Sequence, residues 1–362
     1  MGMTFAQKVL ARAAGLDSVV PGQIVPVKPD HLLTHDNTAA LSGKIGDELE
    51  KYGVVRPDMP VIVLDHVTPA ANEKTATGHA NVREYVRKHK LPNFDDVGTG
   101  VCHQVVVEKG HALPGKILVG SDSHTCSYGA VNAFSTGIDR TEAAALLLVG
   151  ETWFRVPPTI RVTLKGEFPK GVSAKDLILT IIGDISAGGA TYQAVEFHGN
   201  VGALSIEDRF VVANMGIEMG GKIAVFPFDE TTEAYLTSIG ADRGSYEPVW
   251  ADADAEYIRE LEYDLGKIVP VVALPHKVDN VKSVSEVEGM EINQALLGTC
   301  TNGRLSDLRA AAAVLEGKTV SPNVRLLVLP ASRAVLEAAL ADGTISKLVA
   351  AGGVLLPTGC GP

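Results

Sequence analysis

The chain has 362 residues with 46% hydrophobic and 5% aromatic content, enough to bury more than one core, so two or three domains are expected. Its 43 acidic and 32 basic residues give a net charge of −11, and because Lys and Arg are not clustered, this balance argues against a nucleic-acid partner. No apolar run approaches the roughly 18 residues of a membrane span, and residues 1–8 lack the apolar core of a signal peptide. Four cysteines are too few for a disulfide scaffold. Together these features predict a cytoplasmic protein without a membrane partner.

The first segments predict alternating helices and strands. Residues 4–14 have helical apolar spacing behind Thr4, a residue type that favours helix N-caps. Residues 21–29 alternate apolar and polar side chains, which indicates a short strand. Residues 34–38 are too polar for a core, and they are either a capped turn or an active-site loop.

An apolar strand then ends in an acid and an imidazole. Residues 60–64 form a continuous apolar run, which is typical of a parallel strand covered on both faces. Asp65 and His66 follow at its carboxyl end, where open α/β sheets bind their ligands. A carboxylate bonded to one ring nitrogen fixes the tautomer and raises the basicity of the other, as proton transfer requires.

The same pattern recurs further along the chain. Residues 116–120, Lys-Ile-Leu-Val-Gly, indicate another strand that leads to Asp122 and His124, and a Gly-rich turn presents His103. A lone Asp and His pair is more often structural than catalytic. Its recurrence at strand ends favours an active site.

The middle of the chain predicts a second domain. Two consecutive prolines, Pro157 and Pro158 after Val156, indicate a joint, followed by a strand at 159–164 and a helix at 174–182. Residues 237–265 resemble an acidic helical hairpin, and residues 270–275 a strand.

Asn214 and Glu218 lie four residues apart, which would place them on one helical face. They are either exposed or buried with partners, and their apolar, Gly-rich surroundings favour the second interpretation. The whole pattern predicts three α/β domains at residues 1–157, 158–282 and 283–362.

Two cysteines mark the C-terminal region. Cys300 follows the apolar run 295–297 in Gly-Thr-Cys-Thr-Asn-Gly, and Cys360 follows the run 354–356 in Thr-Gly-Cys-Gly-Pro. Each run predicts a buried strand that ends in a Gly-rich loop. Spacing alone leaves open whether these are ordinary reduced cysteines or metal ligands.

Taken together, these motifs resemble the aconitase superfamily, and within it the large subunits of two-subunit 3-isopropylmalate dehydratases and homoaconitases. The resemblance extends from near the N-terminus to Pro362 and rests on several separated motifs in one order. They are Asp65-His66, Gly-Val-Cys-His103-Gln, Gly-Ser-Asp122-Ser-His124-Thr, Asn214-Met-Gly-Ile-Glu218, Gly-Thr-Cys300-Thr-Asn302-Gly and Gly-Cys360-Gly-Pro. It implies three-layer α/β/α domains with mainly parallel sheets and an active site at strand carboxyl ends.

The resemblance also implies a [4Fe-4S] cluster held by three cysteines, with one iron open as a Lewis acid. Cys300 and Cys360 match two of the ligands, and the third would be residue 363. The chain is therefore expected to be a truncated large subunit that is cluster-free and inactive by itself. We use "complete enzyme" for a large subunit with all three ligands together with its small subunit.

Site roles follow from the resemblance residue by residue. His66, held by Asp65, would donate the proton to the leaving hydroxyl, His103 would pair with Asp122, and His124 would pair with Glu218. The residues implied in the substrate or cluster pocket are His35, Ser123, Ser127, Asn214 and Asn302. Cys102 and Cys126 are expected to be small buried fillers.

Departures from full aconitases point to the two-subunit enzymes. His35 stands where aconitases have Gln, and Ser127 where they have Asn. The family's substrate-binding arginines lie beyond the matched region, and the serine base belongs to a swivel domain that is a separate small subunit. The implied activity is a hydro-lyase reaction on a 2-hydroxy di- or tricarboxylate, with 3-isopropylmalate in leucine biosynthesis ahead of homocitrate.

Two other functions compete with this one. Some aconitase relatives bind RNA without a cluster, which the net charge of −11 disfavours. A zinc site formed by Cys300, Cys360 and a histidine would also fit the residue types, and iron and sulfide analysis would distinguish it from a cluster.

Overall fold

The structure is a computed structural model that describes residues 2–361, apart from the side chain of Ser42. It divides into two compact units, each formed from two stretches of sequence. Unit 1 comprises residues 1–32 and 109–288, and unit 2 comprises residues 33–108 and 289–362. The domain boundaries at 157 and 282 stay predictions.

Strands and helices alternate along most of the chain. The strands are β1 Ile24–Val27, β2 His31–Thr34, β3 Pro60–Val63, β4 Asn93–Asp95, β5 Ile117–Gly120, β6 Phe134–Gly137, β7 Thr152–Arg155, β8 Thr159–Lys165, β9 Ala194–Gly199, β10 Ile223–Val225, β11 Arg259–Asp264, β12 Val271–Ala273, β13 Val281–Ser283, β14 Gln294–Leu297, β15 Arg325–Val328 and β16 Gly353–Leu355. The α-helices are α1 Phe5–Ala14, α2 Thr38–Lys44, α3 Gly46–Tyr52, α4 Glu73–His89, α5 Cys102–Glu108, α6 Arg140–Val149, α7 Ala174–Ile185, α8 Ile206–Asn214, α9 Glu230–Ser238, α10 Leu305–Leu315, α11 Arg333–Ala341 and α12 Thr344–Ala350. Short 3₁₀ helices lie at Ser123–Val131, Val201–Ala203, Met215–Met219, Arg243–Ser245, Leu265–Lys267 and Val284–Glu286. Among the helices of residues 2–361, none is long and apolar enough to cross a membrane.

Unit 1 contains a four-stranded sheet in the order β10-β9-β8-β11, and all of its strand pairs are parallel. The apolar side chains of β8 and β9 are buried, as in a sheet covered on its faces. α1 begins at a capping box in which Thr4 and Gln7 satisfy each other's backbone N–H groups. The sequence prediction of this helix is confirmed.

Unit 2 contains the parallel sheet β14-β15-β16 and the parallel pair β3 and β4. Helices α10, α11 and α12 cover one side of the three-stranded sheet, and their core includes Leu308, Val328, Ile345 and Leu348. Burying side chains of this size stabilises the unit by roughly 1.5–3 kcal/mol each before entropy is counted. The mainly parallel α/β architecture confirms the predicted fold class.

Two local predictions are wrong. Residues 237–265 are not a helical hairpin, because α9 ends at Ser238 and β11 forms the edge of the four-stranded sheet. The exposed face of an edge strand tolerates the charges of Arg259–Asp264 that had suggested a helix surface. The runs before the cysteines are strands as predicted but only partly buried, since Leu296 and Val354 are exposed.

Candidate active site

The end of β3 carries an aspartate and a histidine that bond to each other. Asp65 Oδ1 lies 2.7 Å from His66 Nδ1. Because a carboxylate only accepts hydrogen bonds, Nδ1 carries the hydrogen, and Nε2 is the ring atom at which a proton would be exchanged with a substrate. The side chain of Asp65 is buried, while that of His66 is 27% exposed, so the ring can reach a substrate.

The second oxygen of Asp65 faces the start of α5. Asp65 Oδ2 accepts a hydrogen bond from the backbone N–H of Cys102 at 2.7 Å, where the helix dipole favours a negative charge. His103 follows in the first turn of α5 and is buried. The predicted Gly-rich turn is present at residues 98–100. It ends at Val101, whose N–H binds the Ala331 carbonyl, and the helix begins at the next residue, so the turn presents His103 from the first turn of a helix.

The turn after β2 packs a second imidazole against His66. The rings of His35 and His66 are stacked, with centroids 3.7 Å apart and an interplanar angle of 16°. Thr34, His35 and Thr38 are buried, so the prediction that residues 34–38 are too polar for a core is wrong. Their polar atoms are paired instead, since the two threonine hydroxyls lie 2.7 Å apart and Thr38 donates to the His35 carbonyl.

The loops that carry Cys300 and Cys360 adjoin each other at the ends of β14 and β16. A Cβ placed on Gly361 would lie 3.4 Å from Thr299 Cγ2, so the two loops run side by side at this point. The backbone N–H of Cys360 donates to the Asp65 carbonyl at 2.8 Å. The cysteine loops and the end of β3 therefore form one continuous surface within unit 2.

A pocket of about 420 Å³ opens at this surface. Asp65, His66 and Gly359 line it together with apolar side chains that include Leu329 and Leu356. Gly298 makes the close approach of the Cys300 loop possible, because its φ is 146° and a Cβ there would overlap Leu329. Thiolates are the ligands of iron–sulfur clusters, so the donor chemistry of the two loops fits such a group.

A buried arginine follows the Cys300 loop and was missed by the sequence analysis. Arg304 is 2% exposed, and its Nε donates to Gln104 Oε1 at 3.0 Å. The predicted pocket residue Asn302 donates to Asp307 Oδ1 at 2.9 Å. The loop is therefore anchored to α5 and α10, while a pocket role for Asn302 stays a prediction.

Unit 1 brings His124 and Glu218 together, as predicted. His124 Nε2 lies 3.2 Å from Glu218 Oε1, and Ser123 Oγ lies 3.2 Å from His124 Nδ1. Asp122 accepts from the His124 backbone N–H at 2.7 Å, so its carboxylate caps the 3₁₀ helix. The pairing of Asp122 with His103 joins residues of different units and stays a prediction.

Two further predicted residues form a buried chain behind His124. Asn214 Nδ2 donates to Ser127 Oγ at 2.9 Å, and Ser127 Oγ donates to the His124 carbonyl at 2.6 Å. Asn214 is therefore buried with a partner, as the sequence favoured. It does not share an α-helical face with Glu218, because α8 ends at Asn214 and a 3₁₀ helix follows. Cys126 is also buried, and its Sγ lies 3.1 Å from the Ala213 carbonyl.

Two glycines fix the segments that carry His124 and Glu218. Gly129 and Gly216 lie in the two 3₁₀ helices, and a Cβ on either would clash with Ala224 of β10. The Gly129 carbonyl also accepts from the Phe226 N–H at 3.0 Å. Both 3₁₀ helices thus pack directly against β10, and this packing sets the distance between His124 and Glu218.

We expect Gly129→Ala to destabilise the chain by roughly 1–3 kcal/mol or more, because the added methyl group meets backbone that cannot move aside. Gly202→Ala is the control, since no atom lies within 4 Å of a Cβ at Gly202. Urea unfolding measures both variants. Equal midpoints for the two would contradict this account of the packing.

The bond to Glu218 also predicts a pH effect. The hydrogen bond from His124 lowers the pKa of Glu218 below its ordinary value of 4.5. The ionised form is therefore favoured by folding, so the stability it contributes is present above about pH 4.5 and is lost as the pH falls through the lowered pKa. Its side chain is 37% exposed, so solvent screening keeps the contribution small.

We expect the stability difference between the wild type and Glu218→Gln to be larger at about pH 6 than at about pH 3.5. Urea unfolding at both pH values measures it. A difference that stays constant or grows on acidification would show that the folded state does not favour ionised Glu218.

Comparison with known proteins places this arrangement in a family. The model of the aconitase family (aconitate hydratase) matches residues 8–290 and 280–362. The chain belongs to the aconitase family. This membership confirms the resemblance inferred from the motifs.

Individual relatives of this family are similar over most of their length. A "probable methanogen homoaconitase large subunit" of Methanosarcina mazei is 48% identical over 92% of this chain and 84% of its own length. A "probable 3-isopropylmalate dehydratase large subunit" of Methanothermobacter thermautotrophicus is 47% identical over 100% of this chain and 86% of its own length. The "3-isopropylmalate dehydratase large subunit 1" of Methanopyrus kandleri is 46% identical over the same shares.

Proposed function

We propose that the chain is the large subunit of a hydro-lyase that isomerises a substituted malate by dehydration and rehydration, with 3-isopropylmalate as substrate. The observation that carries the proposal is the Asp65 and His66 pair, bonded at 2.7 Å, beside a pocket that adjoins the loops of Cys300 and Cys360. The names of the relatives from Methanothermobacter and Methanopyrus support the substrate.

His66 acts as the general acid in this proposal. The Asp65 carboxylate holds the Nδ1–H and stabilises the imidazolium, which donates its Nε2 proton to the hydroxyl as it leaves as water. The neutral imidazole then accepts a proton from water when the double bond is hydrated in the opposite sense. The stacked His35 ring limits rotation of His66 during both steps.

Cys300 and Cys360 would hold a [4Fe-4S] cluster, which supplies a Lewis acid for the substrate hydroxyl when it is bound. Apolar side chains such as Leu329 and Leu356 line the adjoining pocket, and such a wall limits solvent access to a metal group. That the 362-residue chain is cluster-free by itself stays a prediction.

A small subunit is the proposed partner, because the relatives are named as large subunits. It would bring the base that removes the substrate's carbon-bound proton. Cysteines that must ligate iron need a reducing compartment, so we place the enzyme in the cytoplasm.

Homoaconitase activity is the second candidate, favoured by the relative from Methanosarcina mazei. The test is a comparison of kcat/KM for 3-isopropylmalate, homocitrate and citrate, using the complete enzyme loaded anaerobically with iron and sulfide. We expect 3-isopropylmalate to be the preferred substrate. A preference for homocitrate would assign the second candidate, and activity on citrate alone would contradict both.

A further inference from the structure

Asp36 lies beside His66 and has no role in the chemistry described above. Its Oδ2 accepts the backbone N–H groups of Asp65 at 3.0 Å and His66 at 2.8 Å. Its Oδ1 accepts the N–H of Val67 at 3.3 Å and lies 2.6 Å from His79 Nε2. One carboxylate therefore binds three consecutive peptide groups and one imidazole.

These four bonds use the acceptor capacity of Asp36. A carboxylate has about four lone-pair positions, and each of the four donors occupies one. His35, Asp36, Asp65 and His66 offer ligand atoms within 4.8 Å of one another, which would suit a metal ion. The four donors already occupy the carboxylate of Asp36, so the arrangement does not favour a cation site. We call it the clamp: the Asp36 carboxylate with the backbone N–H groups of residues 65–67 and His79 Nε2.

His79 is the side-chain partner of this clamp. It lies on α4 and is 4% exposed, and its Nε2 donates to the Asp36 carboxylate. Burial raises the pKa of Asp36, but the hydrogen bonds from the His66 N–H, His79 and the Asp65 N–H outweigh it and hold the pKa below its usual value. The lowered pKa favours the ionised form of Asp36, and only the ionised carboxylate can accept hydrogen bonds from all four donors.

We propose that Asp36, held by His79, is the positioning residue of His66. Asp36 fixes the backbone of residues 65–67, Asp65 fixes the ring of His66 through Nδ1, and His35 covers the ring face. The position of Nε2 is thus defined by all three contacts. The catalytic part of this inference rests on the proposed function, while the clamp itself does not.

The clamp is tested on the 362-residue chain by amide hydrogen exchange of residues 65–67, compared among the wild type, Asp36→Asn and His79→Phe. We expect faster exchange at these backbone N–H groups in both variants. In Asp36→Asn, the NH₂ group of the side chain replaces one acceptor oxygen and faces hydrogen-bond donors. In His79→Phe, the side-chain donor to Asp36 is lost. The control is His89→Phe, which changes a histidine at the end of the same helix. Unchanged exchange in His79→Phe would overturn the proposal.

The positioning role is tested by kinetics of the complete enzyme, corrected for iron content. A displacement of a catalytic group by the order of 1 Å can cost about a hundredfold in rate. We therefore expect His79→Phe, which frees the backbone that carries His66, to lower kcat by roughly ten- to a hundredfold while KM stays within about twofold of the wild-type value. His79→Gln should recover most of kcat, since its amide can donate to Asp36. A wild-type kcat in His79→Phe, or equal loss in the Gln variant, would contradict positioning through this bond.

The two tests separate this proposal from the proposed function. If the wild-type enzyme converts no substituted malate but the exchange result holds, the proposed function fails and the clamp stands. A normal thermal unfolding midpoint for His79→Gln ensures that the kinetic comparison is made on folded protein.

Discussion

Replacing His66 by Ala should lower the turnover of the complete, cluster-loaded enzyme by a factor of about 10² to 10⁴, because it removes the group that protonates the leaving hydroxyl. The fold should persist, since the ring is partly exposed and its backbone remains bound to Asp36. Steady-state kinetics with 3-isopropylmalate and a thermal unfolding curve measure the two effects.

Two companion variants sharpen this test. Asp65→Asn should be milder than His66→Ala, because it misorients the imidazole without deleting it. His276→Ala, at an exposed histidine outside the candidate site, should retain full turnover. Near-normal turnover of His66→Ala would remove His66 from the acid role.

Replacing Cys300 by Ser should abolish stable cluster incorporation in the complete enzyme, because it deletes one of the anchoring thiolates. Iron and acid-labile sulfide per chain, together with the visible spectrum, measure the loss after anaerobic reconstitution. Activity should disappear in parallel, since the Lewis acid is lost with the cluster.

Cys126→Ser is the matched control for this variant. Cys126 is buried in unit 1, with its Sγ 3.1 Å from the Ala213 carbonyl, and a serine hydroxyl can donate to the same carbonyl. The control should keep its iron. Full iron content in Cys300→Ser would mean that Cys300 is a packed side chain and not a ligand.

The elements that the sequence predicts well are those with a strong local pattern. The apolar run before Asp65 specifies a buried strand, and its end places the acid and imidazole where parallel sheets bind ligands. The helix behind Thr4 follows from a local capping pattern. Neither prediction needs information from distant residues.

Contacts between distant residues could not be predicted in the same way. Asp36 and His79 are 43 residues apart, and nothing in the polar stretch 34–38 indicates that its side chains are buried by satisfying one another. β11 was mistaken for helix because its charges suit either an edge strand or a helix surface, and only pairing with β8 decides between them. Arg304 was missed for a related reason, since its partner Gln104 is 200 residues away.

The most direct test of the account is to add 3-isopropylmalate to the complete, cluster-loaded enzyme and follow ultraviolet absorption of the unsaturated dicarboxylate formed by dehydration. The account predicts that the absorption appears, that the isomeric 2-hydroxy acid accumulates, and that His66→Ala suppresses both. If neither 3-isopropylmalate nor homocitrate yields an unsaturated product with a fully loaded cluster, the hydro-lyase assignment is contradicted.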